Sequence, residues 1–363
     1  MPDVTPEPPR LKLGFLTNVP FSSGPGGAAR GLRETIGLFE HAEALGYDSG
    51  WVRQRHFDNY LPSPLPMLAA VAVRTARIRL GIAIVAIRYE DPIRLAEDAA
   101  TVDLLSDGRL ELGISGGTPH FEDIFGASEL SFTDESQSRL QRFREAISGQ
   151  VIGSVTPPGQ PAQDLIVRPN SPGLPDRIWY GAATIASAER TARQGLDLLV
   201  STVNTQAAGL PFDQTQLEYI LAYKAAYGVT HPGSVEPRIS VSRVFLPAVN
   251  KRQRARYAEY NDIREREGAA GPRPDGALAP GTLVPTPTAT NGPPKSFQLS
   301  PVPHGDPHKV VEELAADVAL AEGQELVIFL PPNFTFDEYR ELLDNVAEHV
   351  AGELGWSPAK PTD

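Results

Sequence analysis

Residues 77–115 read RIRLGIAIVAI, RYE, DPIRLAEDAATVDLL, SDG and RLELGIS, and their order decides the fold. Arg77 to Ile87 is a near-continuous apolar run, the pattern of a parallel strand covered on both faces. Asp91-Pro92 supplies an N-cap and a first-turn proline for a helix. That helix ends at Ser106-Asp107-Gly108, and Arg109 to Ser115 is a second strand. Strand, helix and strand in this order imply parallel pairing through a right-handed crossover.

The same unit recurs in both directions. Upstream, Leu11 to Thr17 reads as a strand, and Leu32, Ile36, Phe39 and Leu45 mark an amphipathic helix closed by Gly46. Tyr47 to Arg53 is the next strand, followed by an apolar helix around Met67 to Arg74. Gly24 to Gly31 reads as a flexible loop, since it lacks the Lys-Ser/Thr pair of a P-loop. Downstream, a helix is expected over Asp134 to Ser148, then a strand at Ile178 to Ala182 and a helix from Thr184 to Gln194. Leu196 to Ser201, Arg238 to Leu246 and Glu325 to Leu330 complete the strands, with a helix over Asp213 to Tyr227. Thr335 to Glu338 is a capping box for a last helix that buries Phe336, Tyr339, Leu343, Val346 and Val350. Eight strands predict an α/β fold, a (β/α)8 TIM barrel with insertions, forming one domain over residues 1–363. Residues 1–10 read as a flexible tail. Residues 268–303, rich in Pro, Gly, Ala and Thr, read as a mobile or disordered insertion before the last helix–strand unit. An open doubly wound sheet is the alternative, weakened by the missing GxGxxG after the first strand.

Composition narrows the chemistry. A net charge of −12 argues against nucleic acid and anionic membrane surfaces, which select Lys/Arg clusters. No run approaches membrane-spanning length, and the Pro-rich start has no apolar signal core, so a cytoplasmic protein is expected. The chain has no Cys, which removes thiolate metal sites and thiol nucleophiles, and its seven His fall into no metal-binding spacing, so no metal is expected. No G-x-S-x-G elbow is present.

In a barrel the loops after the strands converge on one face. Those loops offer Asn18, then Gln54-Arg55-His56, then Arg88 to Asp91, then Ser115-Gly116-Gly117-Thr118. The fifth strand adds Gly181-Ala182-Ala183-Thr184-Ile185-Ala186-Ser187, two hydroxyls at a helix start that suit either a phosphate or simple capping. Ser115-Gly116-Gly117 allows close approach of backbone to a flat ligand or phosphate, or forms a plain turn. A mouth rich in donors and poor in nucleophiles suggests a ligand that brings its own reactivity.

With these segments in order, the chain resembles the bacterial luciferase-like flavin-dependent monooxygenase family from roughly Leu11 to Trp356. The resemblance rests on Gly46-Tyr47-Asp48-Ser49-Gly50-Trp51 leading to Arg55-His56-Phe57 and on Arg77-Ile78-Arg79-Leu80-Gly81. It continues through Asp91 to Asp98 and Asp103 to Gly113. It implies a flavin-dependent enzyme with FMN in the mouth between the third, fourth and fifth strand loops, reduced by a separate flavin reductase and acting with oxygen on a small organic molecule. A deazaflavin-dependent hydride-transfer enzyme and a flavin-binding homologue without catalysis are the alternatives. By the same resemblance, Thr184 and Ser187 meet the phosphate, helped by Ser115, Gly116, Gly117, Gly181 and Ala182. A cis peptide at Ile82-Ala83 or Ala83-Ile84 supports the ring, and the protein is a homodimer joined through its first helices. Many members carry Glu-His-His-Phe where this chain has Gln54-Arg55-His56-Phe57. The first His, often the base, is thus Arg55, which cannot deprotonate. His56 becomes the candidate acid/base, and Arg55 a candidate holder of an anionic substrate or the peroxide. Gly116 stands near the family's phosphate-binding Arg.

Overall fold

The computed structural model describes residues 10–22, 24–117, 121–126, 128–204, 209–270 and 298–359. Eight strands close into a parallel barrel: β1 (Lys12–Thr17), β2 (Ser49–Val52), β3 (Arg79–Ala86), β4 (Leu110–Ser115), β5 (Ile178–Gly181), β6 (Asp197–Val200), β7 (Ile239–Arg243) and β8 (Glu325–Phe329). Each strand pairs with its neighbours in chain order, and β8 closes on β1. Around them run α1 (Gly27–Leu45), α2 (Pro64–Ala72), α3 (Pro92–Leu105), α4 (Phe132–Ile147), α5 (Ile185–Arg193) and α6 (Phe212–Thr230). Then come α7 (Lys251–Ala270), α8 (Pro307–Ala315) and α9 (Phe336–His349). The expected caps are present. Asp91 accepts from the backbone N–H groups of Ile93 and Arg94, and Thr335 and Glu338 form a reciprocal box.

Three expectations change. Gly24 to Gly31 is not all loop, because α1 begins at Gly27. A Cβ at Gly27 would lie 2.2 Å from the Ser22 carbonyl oxygen, and one at Gly31 would lie 2.6 Å from that of Pro20. These glycines let the helix pack on the β1 exit; flexibility is not their role. The run Arg238 to Leu246 breaks after Arg243, and Leu246–Pro247 pairs instead with His304–Gly305 outside the barrel. The insertion is also shorter at both ends: α7 extends to Ala270, and Gln298–Leu299 pairs with Val203–Asn204. Ser300 and Val302 are buried just after it. Residues 1–9 and 271–297 lie outside the described residues.

Inside the barrel, alternation along each strand builds layers. At the amino end, Glu111 is 1% exposed and accepts from Arg79, from both terminal nitrogens of Arg238 and from the Trp179 indole. Arg238 also pairs with Asp197. In the middle layer Trp51 and Trp179 meet edge to face at 5.6 Å, over Gly81. Above this layer the barrel opens at its carboxyl end.

Candidate active site

The β2 exit forms one wall of the mouth. Ser49 hydrogen-bonds Glu325 and Trp51 packs on Trp179 inside the barrel, so alternation carries Arg53 to the same side. The Arg53 backbone N–H donates to the Thr17 carbonyl at 3.1 Å, which keeps the β1–β2 pairing in register to that residue. Gln54 points the other way and ties this wall to the next. Its amide donates to Glu90 at 2.7 Å, and its carbonyl accepts from the Ala86 backbone N–H at 2.9 Å. Burial raises the Glu90 pKa, and the Gln54 hydrogen bond opposes that rise.

His56 sits among aromatic rings. Its centroid lies 4.9 Å from Phe125, 6.1 Å from Phe57, 6.3 Å from Tyr89 and 6.4 Å from Phe121. Its Nε2 is buried without a hydrogen-bond partner. Desolvation by these walls lowers its pKa below the ordinary 6.5, so the ring is a neutral imidazole at neutral pH. Arg55, the other candidate, pairs with Asp58 at 3.1 Å toward solvent. Any anion held by Arg55 would compete with that carboxylate.

The exits of β3, β4 and β5 meet as a shelf of small residues. A Cβ at Gly181 would touch Ile84 at 3.3 Å and Ser115 at 3.8 Å, which places the three exits in contact. The Ala83–Ile84 bond is cis, the second of the two bonds expected, and the β3–β4 register shifts between Ile82 and Val85. Ile82 is fully buried, Ala83 packs against the core, and Ala182 is 3% exposed. Gly117 has φ +78 and its Cβ position lies 2.7 Å from Ala86, so only glycine suits this turn.

The backbone of that loop is less available to a phosphate than its sequence suggests. The Gly117 N–H donates to Ser115 Oγ at 3.1 Å, and the Gly116 N–H faces the buried Tyr180 hydroxyl. Space explains the glycine at 116. A Cβ there would lie 2.9 Å from Phe132 and 3.0 Å from Ser136, so α4 occupies the room an arginine would need. At α5, Thr184 and Ser187 form a reciprocal capping box: Ser187 N–H donates to Thr184 Oγ1, and Thr184 N–H to Ser187 Oγ, each at 3.1 Å. Capping is therefore their structural role, while the N–H groups of the first turn still point outward from the helix start. Arg190, one turn further along α5, keeps a buried Nε without a partner.

The structure thus brings Ile82, Ala83, Ser115, Gly116, Gly117, Gly181, Ala182, Thr184 and Ser187 to one side of the mouth and His56 to the other. Tyr89 links the two, lying 3.7 Å from the Gly117 Cβ position and against His56. Reasoning from sequence missed Arg53, Tyr180, Arg190 and the Phe121–Phe125 pair. Alternation from Ser49 and Trp51 would have found Arg53. The others depend on how α4, α5 and a one-turn helix, Glu122–Phe125, pack. Among the described residues, no group of three His, Asp or Glu side chains could hold a metal, and no helix is long and apolar enough to cross a membrane.

Comparison with known proteins agrees with the barrel fold. The family model described as luciferase-like monooxygenase matches residues 11–323. The oxygenase component of a flavin-dependent trigonelline monooxygenase from Acinetobacter baylyi is 37% identical over 181 residues, 47% of this chain and 49% of that protein. An F420-dependent glucose-6-phosphate dehydrogenase from Amycolatopsis mediterranei is 34% identical over 124 residues, covering 32% of this chain and 36% of that one. The chain spans a third to a half of the length of the first curated relatives it matches. Among solved structures, a long-chain alkane monooxygenase superposes with a TM-score of 0.70 over 98% of this chain and 94% of its own, at 11% identity, which speaks to fold alone.

Proposed function

This chain belongs to the luciferase-like monooxygenase family, and from that premise we propose that it is the oxygenase part of a two-component monooxygenase using FMN reduced by a separate reductase. Its substrate is a small organic molecule. The observation that carries this reading is His56, whose buried Nε2 has no partner and which stands across the mouth from the glycine shelf.

The residues present fit a flavin. Gly117, Gly181 and Ser115 leave a surface without bulky side chains beside Ile84, suited to a flat ring. The amino end of α5 and the unpartnered Nε of Arg190 suit a phosphate, with the helix dipole favouring the negative charge. Reduced FMN, when bound, supplies the electrons that activate oxygen. The chain supplies the rest. Phe57, Tyr89, Phe121 and Phe125 keep water from His56, and the neutral imidazole accepts or returns a proton at Nε2. Gln54 fixes the β2 exit against the β3 exit and so holds His56 over the shelf.

Fluorescence titration of the protein with FMN, followed by turnover with a flavin reductase, NADH and oxygen on a panel of small organic molecules, tests this. Binding of FMN in neither redox state refutes it. Reduction of a deazaflavin in place of FMN turnover assigns hydride transfer instead, and FMN binding without any turnover assigns a flavin carrier.

A further inference from the structure

We propose that Arg53 anchors the carboxylate of an acidic substrate in the barrel mouth; the proposal rests on the reading above and names its substrate class. Strand alternation directs Arg53 to the side of the barrel occupied by Ser49 and Trp51. It stands one layer above them, at the open end. Among the described residues no carboxylate lies within 4.0 Å of its nitrogens and no side-chain hydrogen bond engages it. The charged and titratable groups acting on it are Arg55, a like charge already taken by Asp58, and the phenol of Tyr60. Burial and Arg55 push its pKa down to about 9, which still leaves a full cation at neutral pH.

Other inward-facing arginines of the barrel are matched. Glu111 neutralises Arg79 and Arg238 at the amino end. A half-buried cation without a partner, facing the open end of the barrel, is available to an arriving anion. A second orphan stands beside it. Asn18, which follows β1 just as Arg53 follows the Thr17–Val52 pair, is 3% exposed, and its Oδ1 has no hydrogen-bond partner. A planar guanidinium takes a carboxylate through two parallel hydrogen bonds, whereas Asn18 Oδ1 is an acceptor and suits a donor elsewhere on the same ligand. The rings around His56, three residues along, suit an apolar or aromatic body attached to that carboxylate.

Benzoate and its neutral analogue benzamide are the probes, titrated calorimetrically into the full chain with and without saturating FMN. Benzoate should bind about tenfold or more tighter than benzamide, the value of hydrogen bonds to a charged group. Arg53→Gln should erase that preference while FMN affinity stays within about twofold, and Arg53→Lys should keep part of it. Arg55→Gln should leave the preference intact. Thermal unfolding separates the anchor from a structural role: removing an unpaired cation leaves the Tm of Arg53→Gln unchanged or higher, whereas removing a merely structural arginine lowers it. Equal binding of the two probes, a preference that survives Arg53→Gln, or a loss confined to FMN affinity overturns the proposal. Absent FMN binding with the benzoate preference intact overturns the monooxygenase reading instead and leaves the acid site standing.

Discussion

Alanine at Gly81 is a direct test of the packing on which the mouth rests. Its Cβ would fall 2.1 Å from Cδ2 and Cε3 of Trp51, where ordinary contact begins at 3.4 Å. The indole must therefore retreat by about 1.3 Å, and little allows it to. Trp51 is 1% exposed, its Nε1 donates to Ser49 Oγ at 2.8 Å, and its ring meets Trp179 at 5.6 Å. Overpacking a core of this kind costs about 1–3 kcal/mol, and a buried indole N–H left without its acceptor adds about 1–3 kcal/mol. A total near 4 kcal/mol is the expected loss. With an unfolding entropy of about 2.1 cal/mol/K per residue, the whole chain gives roughly 0.8 kcal/mol/K, so the Tm falls by about 5 °C. Far-UV circular dichroism and tryptophan fluorescence should report the same midpoint, and the Trp51 emission should shift in the folded state. Gly228→Ala in α6 is the control, since nothing lies within 4 Å of its Cβ position. That change should raise stability by about 0.5 kcal/mol through helix propensity. A Tm loss below about 1 °C in Gly81→Ala, with unchanged emission, would refute the reasoning that Trp51 is fixed.

Other outcomes follow from the site. His56→Gln should bind FMN normally and lose turnover by about 10² to 10⁴, measured by product formation. In the parent protein, turnover should hold above pH 6.5 and fall on the acid side, because burial lowers the folded pKa of His56. The same depression means that stability from this group is full above its unfolded pKa and is lost as pH falls toward the folded one. Glu325 behaves oppositely. Burial raises its pKa, so its contribution is full below about pH 4.5 and is lost as pH rises through the folded value. Glu325→Gln, which keeps an acceptor for Ser49, should unfold with a flatter Tm between pH 4.5 and pH 8. Thr184→Ala removes the acceptor of the Ser187 N–H and should cost about 1 kcal/mol in urea unfolding, with weaker FMN binding if α5 seats the phosphate.

Most of the barrel was legible because its signals are local. The apolar run of β3, the Asp91 cap and the glycine after α1 each act within a few residues, and the boundaries they imply match the strands closely. What escaped depends on contacts between distant segments. Gly27 and Gly31 read as flexibility, yet they exist because Ser22 and Pro20 lie against them. The glycine at 116 reads as a gap in a phosphate site, although Phe132 and Ser136 fill the space. Thr184 and Ser187 carried both meanings in the sequence, and the structure realises capping. Arg53 was legible in principle. Period-2 alternation from Ser49 points to it, but the neighbouring Arg55-His56 pair drew attention outward along the loop.

The two ends of the barrel treat charge in opposite ways, and this asymmetry locates function without any motif. At the amino end the inward arginines are matched: Glu111 receives Arg79, Arg238 and Trp179, and Arg238 also holds Asp197. Such a network stabilises only because each partner is present, and removing one would strand the rest. At the carboxyl end the same fold leaves Asn18 Oδ1 and His56 Nε2 buried without partners, and the half-buried Arg53 guanidinium makes no side-chain hydrogen bond or ion pair among the described residues. A chain able to satisfy one end could satisfy the other, for instance with a carboxylate where Asn18 stands. It does not, which is the pattern that the proposed ligand sites require. On the proposed reading, a flat, phosphate-bearing ligand answers the glycine side and an acid the side of Arg53.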